Sequence, residues 1–275
     1  MPWGPRNLGV FVREMDTWPR RQWRPVARRG TQMQFRSALA VLALALSAPA
    51  AGAPPPLPGI GQEDRRVEVD AAAAPWHSLA KVQSNIGTRC TGALVGPRRI
   101  LTAAHCLFNP RTQRFLPASS LHVLFGYERG DFMIDARVAD VIRSDAYNPL
   151  HPREDFAADW AILVLDQDAP GTVPPLAIAP DVPPPGTAVA LGGYSQDKAQ
   201  IITADTNCTV LGTNRVANGA VLIHNCTGTR GTSGAPLLAL KDGNWQVVGV
   251  AVAGTTDRMP FNYAVPTTAF GPALH

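Results

Sequence analysis

Residues 91–106, TGALVGPRRILTAAHC, decide the fold class of this chain. The stretch runs apolar on either side of the turn-forming Gly96-Pro97, as short β-strands do. Its last apolar pair, Ile100-Leu101, gives way to Thr102 and then to the small residues Ala103 and Ala104, which let the backbone pack closely. The strand then presents His105 beside Cys106. A histidine held at the end of a buried strand, next to a cysteine able to pin it, suits a general base.

The same texture continues outward. LAKVQ (79–83), LHVLFGYE (121–128), ARVADVIRS (136–144) and DWAILVLD (159–166) alternate or run apolar between turn residues. TAVALGGYS (187–195), NCTVLG (207–212), AVLIHNC (220–226), APLLAL (235–240), WQVVGVAVAG (245–254) and FNYAVP (261–266) form a second such series. Two similar runs of short strands with a Pro-rich bridge predict an all-β protein of two small barrels. We expect one barrel over 75–170, a connector over 171–187 and a second barrel over 188–275. A short helix is expected near Thr267 to Ala273, and no internal repeat is visible in the sequence.

With 26 Pro, 24 Gly and 17% charged residues in 275, the composition suits many short elements rather than long amphipathic helices. The net charge of +4 belongs to the leader. Residues 1–50 carry eight arginines against Glu14 and Asp16, leaving the remainder at −2. The body thus has no basic patch to seek nucleic acid.

From Met33 a positive start, the apolar stretch Ala38 to Leu46 and an Ala-x-Ala site describe a secretory signal peptide over 33–50. Its apolar stretch is far short of the ~20 residues of a membrane span. Cleavage is expected after Ala50, with Ala53 as the second site. Residues 1–32 are Arg-, Trp- and Pro-rich, and we expect the natural start at Met33; a twin-arginine leader on Arg28-Arg29 is the rival. The Pro-rich 51–74 reads as a linker or pro-segment. The product is expected to be secreted or periplasmic. Four cysteines suit an oxidising compartment and allow three pairings. Neighbour pairing, Cys90–Cys106 and Cys208–Cys226, closes two short loops, and the spacings lack a zinc pattern.

Two more stretches complete a chemistry. In Ala158-Asp159-Trp160-Ala161, Asp159 abuts an apolar strand, which favours it over Asp155 as the carboxylate that orients an imidazole. In Gly228-Thr229-Arg230-Gly231-Thr232-Ser233-Gly234, glycines around Ser233 allow a strained turn. The N–H groups of Gly231 and Ser233 could then cradle an oxyanion.

In order, TAAHC, DWAIL and GTSGAP resemble the chymotrypsin/trypsin-like serine proteases, especially their short secreted bacterial members, from about Asp64 to the C-terminus. The resemblance implies two packed six-stranded antiparallel β-barrels with the active site in the cleft between them. It implies His105, Asp159 and Ser233 as catalytic triad, Gly231 and Ser233 as oxyanion hole, and a disulfide Cys208–Cys226 as in the bacterial members. Peptide bonds would be cleaved through an acyl-enzyme. Thr227 would floor the specificity pocket, with Val252, Ala253 and Gly254 as its wall. Glutamate-specific relatives place a histidine in that strand where Ala251 stands, so an uncharged P1 side chain is expected. Trypsin's close relatives carry an acid before the nucleophile, paired with a freed N-terminal amine; Thr232 stands there. A maturation cut near Arg65-Arg66, exposing Val67, is compatible with this pattern.

His77, His122, His151, His224 and His275 are expected to be surface or structural. No cofactor or metal is expected. The expected partners are protein or peptide substrates of a monomer, with neither nucleic acid nor a membrane anchor. Two other classes compete: a protease-fold binding protein without activity, and an α/β-hydrolase esterase. The latter places its nucleophile before its acid and histidine in the chain, the reverse of the order here.

Overall fold

A computed structural model describes residues 57–152, 154–255 and 261–274. The expected leader 1–32, signal peptide 33–50, linker residues 51–56 and His275 lie outside the described residues.

Six strands form the first barrel: β1 (Leu79–Ser84), β2 (Arg89–Gly96), β3 (Arg99–Thr102), β4 (Leu121–Phe125), β5 (Ile134–Arg143) and β6 (Ala161–Leu165). Their antiparallel ring order is β1-β2-β3-β6-β5-β4, closed by β4 on β1. The second barrel has β7 (Ala188–Gly193), β8 (Thr203–Val216), β9 (Gly219–His224), β10 (Pro236–Lys241), β11 (Asn244–Gly254) and β12 (Asn262–Pro266). Its order is β7-β8-β9-β12-β11-β10, closed by β10 on β7. Numbered within each barrel, the two rings are the same. The repeat that the sequence hides is therefore present in topology. Closure removes the exposed edges that short strands would otherwise leave.

One apolar cluster, including Leu79, Ile100, Leu101, Val123, Ile162 and Leu163, fills the first barrel and continues across the seam to Val250 and Phe270. A second, around Leu191, Val210, Leu222, Leu237 and Val248, fills the second barrel. Successive strand residues face opposite ways, so Leu237 fills the barrel interior while Leu238 joins the seam. The C-terminal helix Thr267–Phe270, continued as a 3-10 turn Gly271–Leu274, lies where the sequence predicts it. Its Phe270 ring packs 6.3 Å from that of Trp160, beside Asp159.

The two barrels are also joined by polar groups. The Thr91 hydroxyl of β2 donates to the Gly231 carbonyl (2.9 Å) and accepts from the Tyr194 N–H (2.9 Å). Thr91 N–H donates to the Ser233 carbonyl (2.9 Å), and Thr102 caps the arrangement by donating to the Thr91 carbonyl (2.8 Å). Disulfides Cys90–Cys106 and Cys208–Cys226 are both formed.

Candidate active site

His105 and Asp159 meet because β3 and β6 are ladder neighbours. The last pair of that ladder is Thr102 with Ala161. His105 follows Thr102 in the 3-10 turn Ala104–Leu107, and Asp159 precedes Ala161 after the turn Phe156–Ala158. Cys106, bonded to Cys90 of β2, pins the turn. That bond also consumes both sulfurs near His105, leaving no thiolate for a metal.

Asp159 takes two hydrogen bonds from one residue. The His105 backbone N–H donates to Oδ1 (2.8 Å), and the ring Nδ1 to Oδ2 (2.6 Å). With Nδ1 as donor, Nε2 of the neutral ring is left to accept a proton. Burial works against the imidazolium, but the charge and hydrogen bond of Asp159 outweigh it and raise the His105 pKa above 6.5. The competing Asp155 bonds instead to Asn218.

Ser233 stands on the loop between β9 and β10. Gly231 (φ +91°) and Gly234 (φ +82°) adopt left-handed conformations that side chains resist. A Cβ at Gly231 would collide with the Tyr194 carbonyl, and one at Gly234 with Thr102 and Thr91. Thr232 N–H donates to the Thr229 carbonyl (2.9 Å) and Gly234 N–H to the Ala251 carbonyl (2.7 Å). Among the described residues, the Gly231 and Ser233 N–H groups donate to no protein acceptor. Thr232, in place of an acid, shares a buried hydrogen bond with the Ser195 hydroxyl (2.9 Å).

His105, Gly231, Ser233, Val252, Ala253 and Gly254 line one cleft of about 590 Å³. Its β11 wall pairs with β10 as far as Val250–Pro236, Ala251 still bonds to Gly234 and Ala235, and from Val252 onward, among the described residues, β11 pairs with β12 alone. A free strand edge remains, able to pair with an extended peptide. A register shift between Ala251 and Ala253 aims this edge into the cleft. On the far side of His105 and Asp159 lies a second hollow of about 710 Å³, with Phe108, Tyr147, Phe156 and Tyr263 among its lining.

Thr227 does not line the cleft. Its N–H (2.7 Å) and hydroxyl (2.5 Å) both donate to Asp205, whose burial is outweighed by these and other hydrogen bonds, so its carboxyl lies below the usual range. His224 lines the cleft instead. Its ring is fully buried, neither nitrogen has a hydrogen-bond partner among the described residues, and burial pushes its pKa down to about 4 despite the nearby Asp205 charge. Sequence reasoning assigned no site role to His224 or Thr91. His224 ends an ordinary apolar strand, and only the pairing of β9 with β12 turns it to the cleft.

The family model Trypsin matches residues 65–272. A serine protease of Anopheles gambiae, SP24D, is 29% identical over 199 residues, 64% of this chain and 65% of that protein. Glutamyl endopeptidase of Bacillus licheniformis is 34% identical over 56 residues, 20% of this chain and 17% of that protein. The chain thus spans less than two thirds of the length of these curated relatives. Among solved structures, a Glu endopeptidase in complex with MPD shares the fold with a TM-score of 0.65 at 23% identity, over 78% of this chain and 97% of the other. With the match covering most of its length, and the two-barrel fold around it, the chain belongs to the trypsin family of serine proteases.

Proposed function

We propose that this protein is a secreted or periplasmic serine endopeptidase acting on protein or peptide substrates as a monomer. One observation carries the reading: the His105–Asp159 pair shares a cleft with Ser233 and two unclaimed backbone N–H groups. In the first half-reaction Ser233 Oγ bonds to the scissile carbonyl carbon as His105 Nε2 takes its proton. The oxyanion is held by the Gly231 and Ser233 N–H groups. The C–N bond then breaks, His105 returns the proton to the leaving amine, and an acyl-enzyme remains. Water, deprotonated by His105, attacks the ester carbonyl, the C–Oγ bond breaks to release the acid, and His105 returns the proton to Ser233 Oγ. Asp159 keeps the ring in its tautomer and stabilises the imidazolium.

A fluorophosphonate probe should label the folded, secreted protein, and Ser233→Ala should abolish labelling and hydrolysis of casein. A folded wild type that neither labels nor cleaves would move the binding-protein reading to the front.

For P1 we favour an acidic side chain. Neither nitrogen of the buried His224 imidazole is paired among the described residues; such a ring is costly unless a ligand completes it, and a carboxylate accepts its N–H. The name of the Bacillus relative points to the same residue class. A peptide library decides between this and the uncharged P1 expected from Thr227. Cleavage after Glu or Asp that falls at least tenfold in His224→Leu supports the acid; unchanged cleavage after Ala or Val supports the alternative.

A further inference from the structure

Residues 57–69, which the sequence presents as part of a linker, are bonded along the second barrel. Val67–Glu68 pair with Ala204 and Thr203 of β8, and Val69 N–H donates to the Ile202 carbonyl (3.2 Å). Arg66, only 5% exposed, forks between Asp64 (2.8 and 2.9 Å) and Asp197 (2.7 and 3.0 Å). Arg65 donates to Asp205 (2.8 Å), the carboxylate that also holds Thr227, and to the Asn225 carbonyl (2.5 Å). The dibasic pair is therefore built into the fold, with both guanidinium groups committed.

Further upstream the chain reaches the cleft itself. Gly59 N–H donates to the Thr255 carbonyl (2.8 Å), just beyond the free edge of β11. Its carbonyl accepts from Gly228 N–H on the opposite wall (3.1 Å) and from the Asn262 side chain (3.1 Å). Gly59 has φ +78°, and a Cβ there would collide with the Gly228 carbonyl. Pro58 lines the cleft beside His224. One glycine thus ties the Ser233 loop to the chain just beyond β11, with a fit that admits no side chain.

We propose that residues 58–66 remain in the working enzyme, where Gly59 closes the wall of the specificity pocket, and that the mature N-terminus lies at or upstream of Pro58 rather than at Val67. A cut at Arg65-Arg66 would detach the wall and leave Asp205 without its arginine. The activity readouts below rest on the endopeptidase reading, whereas the labelling readout tests that reading separately.

The first test is N-terminal sequencing of active protein recovered after secretion of the full chain. A start between residues 51 and 58 is expected, and a start at Val67 overturns the proposal. The second keeps folding intact before the wall is broken. A recognition site for an exogenous protease replaces the exposed bend Gln62-Glu63 in the full chain, and the folded enzyme is assayed before and after the cut. After the cut, fluorophosphonate labelling of Ser233 should persist. Over the same cut, kcat/KM for the preferred P1 should fall at least tenfold and the ratio between P1 residues should flatten. Gly59→Val should move the same ratio in the same direction without any cut. Unchanged P1 selectivity in both overturns the wall. Absence of labelling before the cut would instead count against the endopeptidase reading.

Discussion

The two barrels share one ring order but are built to different tolerances. In the first, register shifts occur in two of the six strand pairings; in the second they occur in four. The second barrel also takes in outside segments, Val67–Glu68 against β8 and Ala177–Ile178 in parallel against β11. On the proposed reading, the division matches the work each barrel would do. The first holds His105 and Asp159 on adjacent strand ends, where regular pairing fixes their spacing. The second must present a strained loop, a free edge and a buried histidine to one space, and bulges re-aim its backbone for that. A common topology thus serves rigidity on one side and recognition on the other.

If this division holds, damage in the first barrel should lower turnover for every substrate alike. Asp159→Asn should reduce kcat/KM about 10⁴-fold through the wrong imidazole tautomer, by the same factor for acidic and neutral P1. A factor that varied with P1 would break the comparison. In the unaltered enzyme, the acid limb of kcat/KM should lie above pH 6.5, because His105 must be neutral and its pKa is raised.

The second barrel should betray itself in stability rather than turnover. His224 is buried neutral with a pKa of about 4, so its stabilising contribution is present above the unfolded value of 6.5 and lost as pH falls through that window. The loss should be on the order of 3 kcal/mol between pH 6.5 and 4. Urea unfolding across that range should be flatter in His224→Leu, and an equally steep His224→Leu would refute the assignment. His105, shifted the opposite way, stabilises below 6.5 and loses that contribution as pH rises through its raised value.

The seam can be sharpened with Thr91→Val. The variant leaves the Gly231 carbonyl and the Tyr194 N–H unpaired, a cost of about 1–3 kcal/mol each where no water enters. Thermal unfolding should fall accordingly, and kcat/KM should drop roughly tenfold as the loop loses its anchor. Wild-type activity in a destabilised Thr91→Val would mean that the seam holds the barrels but not the loop. The smallest effect is expected at Phe156→Ala. Losing one aromatic wall of the second hollow should cost about tenfold or less, confined to substrates with a large apolar residue on the acyl side of the scissile bond.

The three residues proposed as a triad stand out in the sequence because each sits in a local pattern with its own physical reason. Small residues precede His105, an apolar strand follows Asp159, and glycines flank Ser233. Short apolar runs with turn residues between them were likewise enough for two barrels. What stayed hidden depends on long-range register. His224 looks like the end of any apolar strand until β9 is placed against β12. Thr227 looks like a pocket floor until Asp205, 22 residues earlier, claims its hydroxyl. Residues 57–66 look like linker because their attachments are to partners more than a hundred residues away. The repeated ring order left no trace because two cores can be filled by different apolar side chains in the same topology.

The hydrogen bond between Thr232 and Ser195 has a consequence for control. A buried carboxylate at that position would need a counter-charge before the Ser233 loop could settle, which makes loop formation a switch. Two hydroxyls satisfy each other without any charge, so the loop can take its shape as soon as the chain folds and keep it as pH varies. Restraint of such an enzyme then has to act on access to the cleft, or on where in the cell the chain is allowed to fold.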